Sequence, residues 1–227
     1  MTDGQNNDSG LYTGIDQNEF MKRMKAIASD LWGGSAPAEG KQEIPEHEKK
    51  ASPAAAEPEK LKRTIRNIWK TADETIDWTD ALAHSTPTDG LTSPRLWAFY
   101  HKHAQKILEG DLSAYTEVLQ KANPLGELTD FADHITIRAI SPDRLESAFS
   151  CNGEAMKRDR KLYLSAMGLR IARDLLACLP VEEVTVTAEE EGKKVFTATY
   201  PRQKLLHRNF AFIDPVALAG ECGAEFN

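Results

Sequence analysis

The chain is poor in the residues that usually announce chemistry. Its three cysteines, Cys151, Cys178 and Cys222, are odd in number and widely spaced, which argues against a disulfide framework and for free thiols in a reducing cytoplasm. It has no Cys-x-x-Cys and no His-Glu-x-x-His. His101 and His103 are two apart on a predicted helix, hence about 200° around its axis, and cannot ligate one ion together. "GLTSPR" and "CNGEAMK" lack the glycine spacing and the Lys-Ser/Thr ending of a nucleotide-binding loop. No metal and no cofactor is therefore expected. Positive charge is also scarce: 28 Lys and Arg face 35 Asp and Glu, a net charge of −7. That leaves no large basic footprint of the kind nonspecific nucleic-acid binding requires. No run of 18 apolar residues occurs, so no membrane span is expected. The opening "MTDGQNNDSGLY" lacks the basic and apolar regions of a secretory leader.

What is present is unevenly distributed. Residues 1–59 carry 6 Lys and Arg against 11 Asp and Glu. Residues 1–14 are polar and expected to be disordered. Over 15–32, Phe20, Met24, Ile27 and Leu31 recur at spacings of four, three and four with Trp32 beside them, the pattern of an amphipathic helix, and Gly33 and Gly34 end it. Residues 33–59, "GGSAPAEGKQEIPEHEKKASPAAAEPE", are nearly devoid of large apolar residues and read as a disordered linker. A helix this short is marginal in water and should dock, either on its own domain or in the groove of a partner or second copy.

Residues 60–227 read as one α+β domain, helical over 60–133. Leu61, Ile65, Ile68, Ala72 and Ile76 predict a long helix to about His84, with Arg63, Arg66 and Lys70 along another face. Ser93-Pro94 opens a helix through Leu108, Gly110 closes it, and Asp111 caps the next, which stops before Pro124. The pair lacks the residue pattern of a tetratricopeptide repeat. From His134 the period becomes two. "HITIRAI" and "RLESAFSC" predict a hairpin, a helix follows from about Glu154 to Leu179, and "VEEVTVTAEEEGKKVFTATY" predicts a second hairpin. Hairpin, helix, hairpin gives an expected four-stranded antiparallel sheet with helices on one face. Arg170 and Asp174, four apart, are expected to pair on the narrow polar strip of the central helix.

At "LRIARDLLACLPVEEVTVTA", Leu169 to Ala188, and the later "FAFIDP", the sequence resembles a set of uncharacterised bacterial proteins with an "LR-IAR-L-LLPVE-V-VTA" helix-to-strand junction. The resemblance covers roughly the last 90 residues and rests mainly on core positions. It implies an architecture and a bacterial cytoplasmic origin, and brings no activity and no catalytic residues with it.

Two stretches invite a functional reading. Cys151 ends a strand just before a helix N-terminus and near Lys157, Arg158, Arg160 and Lys161, an environment that lowers a thiol pKa. A turn at Pro142-Asp143 would place His134 opposite it, making a thiol-base pair; the alternative is a small residue before an Asn-Gly turn. The run Lys157, Arg158, Arg160, Lys161 opposes the helix macrodipole and so is not there for helix stability. It is either solvated surface or an anion contact, joined by Arg63, Arg66 and Lys70, and by Arg202, Lys204 and Arg208, if these share a face. The leading expectation is a protein-protein interaction module, leaning away from an enzyme, that docks through Phe20, Met24, Ile27, Leu31 and Trp32. Nucleic-acid association through the basic residues and a cysteine-dependent enzyme are the alternatives.

Overall fold

Alternating apolar residues build the sheet. In the computed structural model, which describes residues 66–88, 90, 92–157 and 159–227, the strands are β1 (Ala132–Ser141), β2 (Arg144–Cys151), β3 (Glu183–Glu190), β4 (Lys193–Pro201) and a two-residue β5 (Glu225–Phe226). They lie in sequence order in one sheet. Leu145 and Phe149 of β2, Val184, Val186 and Ala188 of β3, and Phe196, Ala198 and Tyr200 of β4 are buried, while Thr185, Thr187, Thr197 and Thr199 stay half-exposed on the other face. The β3–β4 turn uses Glu191 at φ 50° and Gly192 at φ 74°. Both values are positive, as a two-residue hairpin turn matched to strand twist requires.

The sheet is mixed, not the four antiparallel strands expected. β1–β2, β3–β4 and β4–β5 are antiparallel, but β2 and β3 are parallel. The helix between them is the reason. α5 (Arg160–Cys178) follows the one-turn α4 (Gly153–Met156); its 19 residues span about 28 Å, the length of an eight-residue strand. It therefore returns the chain to the end where β2 began, and β3 must run the same way. The fifth strand comes from the last residues, which pair with Phe196 and Thr197.

The expected single helix from Glu154 is instead two, one ending at Met156 and one starting at Arg160. Asp159 takes the N-cap position and accepts the Leu162 N–H at 3.0 Å. From Tyr163 to Leu179 every residue is buried except the half-buried Arg173. Such a helix must be covered all round. The sheet covers one face, where Gly168 is needed: a Cβ there would sit 2.8 Å from the Phe196 ring and 2.9 Å from the Tyr200 hydroxyl.

The other faces are covered by chain the sequence pattern assigned to a helix. Residues 68–70 form one 3-10 turn and residues 71–77 run extended, before the short α1 (Trp78–Ala83) capped by Asp77. The long helix expected to run to His84 is thus absent over the described residues 66–77. Tertiary bonds outcompete helical ones there: Ile76 N–H bonds to Ala177 O at 2.9 Å, Trp78 Nε1 to Cys178 O at 3.0 Å, and Arg173 Nη1 to Trp69 O and Thr71 O. Further on, α2 (Pro94–Leu108) and α3 (Leu112–Ala122) form the expected hairpin, capped by Ser93 and Asp111. Gly110 turns it at φ 79° against Pro142, whose carbonyl accepts the Tyr115 hydroxyl at 3.0 Å. A helical turn, α6 (Arg202–Leu205), and α7 (Pro215–Glu221) close the C-terminal side. No described helix is long and apolar enough to cross a membrane. The expected segments 1–14, 15–32 and 33–59, with Phe20, Met24, Ile27, Leu31, Trp32, Arg63 and Arg158, lie outside the described residues.

Candidate functional site

Cys151 and His134 do not meet. Cys151 pairs with Ala132, while His134 falls in an irregularity of β1 between Ala132 and Ile135 and is exposed. Two irregularities, one between Ala139 and Ser141 and one between Ala132 and Ile135, each add a residue to β1, so at Cys151 the register is shifted by two residues from the one the turn alone implies. Nor is the thiol activated. Burial pushes it up to about 11, Glu190 adds to the rise, and Arg160 opposes it only in part. Tyr163 holds this strand end, donating to Phe131 O at 2.6 Å and accepting from Asn152 N at 3.1 Å. The other two thiols are raised by burial as well, Cys178 to about 12.

The basic clusters divide between the two ends of α5. At its N-terminus Arg160 meets Glu190 at 3.4 Å, Lys161 lies 5.5 Å from the Phe226 ring centroid, and Lys157 is exposed. At its C-terminus Arg202 turns inward, donating to Leu176 O, Leu179 O and Val181 O, each at 2.7 Å. It satisfies carbonyls left open where the helix ends. Lys204 donates to Glu221 O, and Arg208 pairs with Glu221 at 2.9 Å. Arg66 and Lys70 are exposed on the stretch packed against the C-terminal half of α5. About 28 Å of helix separates Arg160 from the end that Arg202 caps, while Arg66 and Lys70 flank the stretch bonded to Arg170 and Arg173.

Arg170 and Asp174 are not a surface pair. They are 4% and 0% exposed and form the centre of a polar latch. Arg170 Nε donates to Asp174 Oδ2 at 2.6 Å and Nη1 to Thr71 Oγ1 at 2.6 Å, and Nη2 lies 3.4 Å from Glu127 and 3.9 Å from Asp73. Asp174 Oδ1 accepts the Asp73 N–H at 3.0 Å. The latch fixes the extended segment 71–77, and with it a row of carboxylates.

Those carboxylates line a cleft of about 300 Å³ between the strap and the α2–α3 hairpin. Asp73, Glu74, Asp77 and Asp80 line it together with Trp97, Tyr100, Pro124 and Cys178 of α5. Asp77 spends one oxygen on the N-cap, accepting from Thr79 N and Asp80 N. Asp80 accepts from Thr88 Oγ1 and lies 2.7 Å from His84 Nδ1. Trp97 Nε1 donates to His84 O at 2.8 Å, which fixes that ring. Glu74 has no ion-pair partner among the described residues. Sequence reasoning passed over this site. The density of acid in "TADETIDWTD" was visible, but a helix would have scattered those carboxylates around its circumference.

Among the described residues, no group of three or more His, Cys, Asp or Glu side chains is arranged to hold a metal ion. His101 Nδ1 lies 2.7 Å from Ala81 O. His103 is buried against Phe99, with Nε2 3.5 Å from Glu117. Comparison with models of known families, with curated proteins and with solved structures finds no match to this chain.

Proposed function

We propose that the protein works by binding and not by catalysis, as a cytoplasmic interaction module whose apolar segment 15–32 docks on a protein partner or a second copy. One observation carries this reading: apolar surface is divided between two parts of the chain. The described domain buries its own large side chains, leaving only Leu82, Leu108, Ile140, Leu206 and Phe212 exposed among its large hydrophobics. Phe20, Met24, Ile27, Leu31 and Trp32 stand apart from it, across the 27 residues of 33–59. Apolar residues at helical spacing, outside the domain that supplies the described core, are suited to a groove elsewhere. The raised thiols and the separation of Cys151 from His134 give no support to a cysteine-dependent reaction.

The test is affinity capture from native host extract, with the full chain and with an Ile27→Asp, Leu31→Asp double variant as baits. The reading expects proteins, or added copies of the chain itself, retained by the first bait and lost from the second. Identical retention by both baits sinks it.

A further inference from the structure

We propose that Asn152-Gly153 is a site of spontaneous covalent modification: the asparagine deamidates through a cyclic imide, and its isoaspartyl product loosens the junction between β2 and α5. The inference is independent of the docking segment. Deamidation needs a following residue whose backbone N–H can reach the asparagine side chain. Asn123 is followed by Pro124, which has no N–H. Asn67 is followed by the β-branched Ile68, and Asn209 by Phe210. Of the asparagines among the described residues, only Asn152 precedes a residue with no side chain.

The fold leaves the attacking group accessible. Gly153 is exposed and starts the one-turn α4, and the first N–H groups of a helix have no intrahelical acceptor. A single helical turn between a strand and a longer helix opens at low cost. On opening, Gly153 N bonds to Asn152 Cγ, and the side-chain amide leaves as ammonia, carrying the proton that Gly153 N loses. Water then opens the imide. Attack at the side-chain carbonyl gives aspartate; attack at the backbone carbonyl gives isoaspartate, in which the chain runs on through Cβ and Cγ and gains one carbon. Water is the sole co-reactant, and nothing is oxidised or reduced.

Position gives the change its effect. Asn152 N–H donates to the Tyr163 hydroxyl at 3.1 Å, that hydroxyl donates to Phe131 O at 2.6 Å, and Asn152 O accepts the Met156 N–H at 3.1 Å. One residue thus ties the end of β2 to the chain entering β1, to α4 and to the first turn of α5. A backbone with one added carbon cannot keep both Asn152 bonds in register. The product also brings a carboxylate to a strand end where Glu190 and Asp133 already act on Cys151, so like charge adds to the lost geometry.

The test is timed incubation of the full-length chain at mildly alkaline pH, beside Gly153→Ala and beside the native sequence in denaturant, with the peptide of residues 145–157 followed by mass spectrometry. That peptide contains no other asparagine. A Cβ on Gly153 meets nothing within 4 Å, so the variant keeps the fold. The proposal expects aspartyl and isoaspartyl forms of the peptide to grow over days in the folded chain, at a rate that rises with pH, and several-fold more slowly in Gly153→Ala. Isoaspartyl protein separated from the aged sample should melt a few degrees below the parent, having lost two hydrogen bonds, and below an Asn152→Asp variant, whose backbone is normal. Conversion in denaturant with none in the folded chain overturns the proposal, as does an equal rate in Gly153→Ala. Isoaspartyl protein that melts with the parent overturns the loosening of the junction.

Discussion

Asp174 Oδ1 accepts the backbone N–H of Asp73 at 3.0 Å across 101 positions of chain. This bond, with the Arg170 guanidinium, turns a buried charge on α5 into the clamp for an extended strap. The strap in turn carries Asp73, Glu74 and Asp77 of the cleft, so the latch sets where those carboxylates lie.

Arg170→Ala leaves the Asp174 carboxyl buried without its main partner. Breaking one side of a buried pair costs about 3–5 kcal/mol, and urea denaturation should show a loss of that order. The double replacement Arg170→Met, Asp174→Leu removes both charges and should recover much of it. A single-variant loss below about 1 kcal/mol would place the pair in water and contradict the latch.

Stability should fall as pH rises through the titration of Asp174. Burial raises that carboxyl from 3.8 to about 6, against the hydrogen bond and charge of Arg170. Between about pH 4 and pH 6 the folded state therefore binds more protons than the unfolded chain, so this contribution declines with rising pH and is flat above the window. Asp73 is raised by burial too and acts in the same direction. Urea midpoints measured across that window should rise more steeply with pH in Asp174→Asn than in the native sequence; parallel curves would count against a buried, titrating Asp174.

Gly168→Ala improves helix propensity by about 1 kcal/mol, yet its Cβ would lie 2.8 Å from the Phe196 ring. Overpacking typically costs about 1–3 kcal/mol, so packing should win and the melting temperature should drop. A variant more stable than the parent would mean that α5 and β4 are further apart than described.

Cys151, raised to about 11 by burial, has roughly one part in ten thousand as thiolate at neutral pH. Iodoacetamide labelling followed by mass spectrometry should find it slower than a free peptide thiol, with the more deeply buried Cys178 slower still. Labelling of Cys151 faster than the free thiol would restore the nucleophile reading.

The parts of the fold legible in the sequence are those that local chemistry decides. Ser93 and Asp111 cap the helices they were expected to cap, and the period-two stretches became strands paired by the expected turns. The rest depends on partners distant in the chain. Ile68, Ala72 and Ile76 keep helical spacing, but bonds to Arg170, Arg173 and the Ala177 carbonyl hold that stretch out of a continuous helix. Two extra residues in β1, one between Ala139 and Ser141 and one between Ala132 and Ile135, moved the register that would have set His134 against Cys151. Arg202 reads as surface charge until α5 ends with carbonyls directed at it. The cleft was illegible for the same reason, since its acids converge only when the strap is extended.

The central claim is that segment 15–32 serves a partner and not the core of its own domain. Thermal unfolding of the full chain beside residues 60–227 tests it most directly. The account predicts melting temperatures within about 2 °C of each other and a cooperative transition for the shorter chain. A fall larger than about 5 °C, on the order of 1 kcal/mol or more for a domain of this size, would make the segment part of the core and contradict the claim.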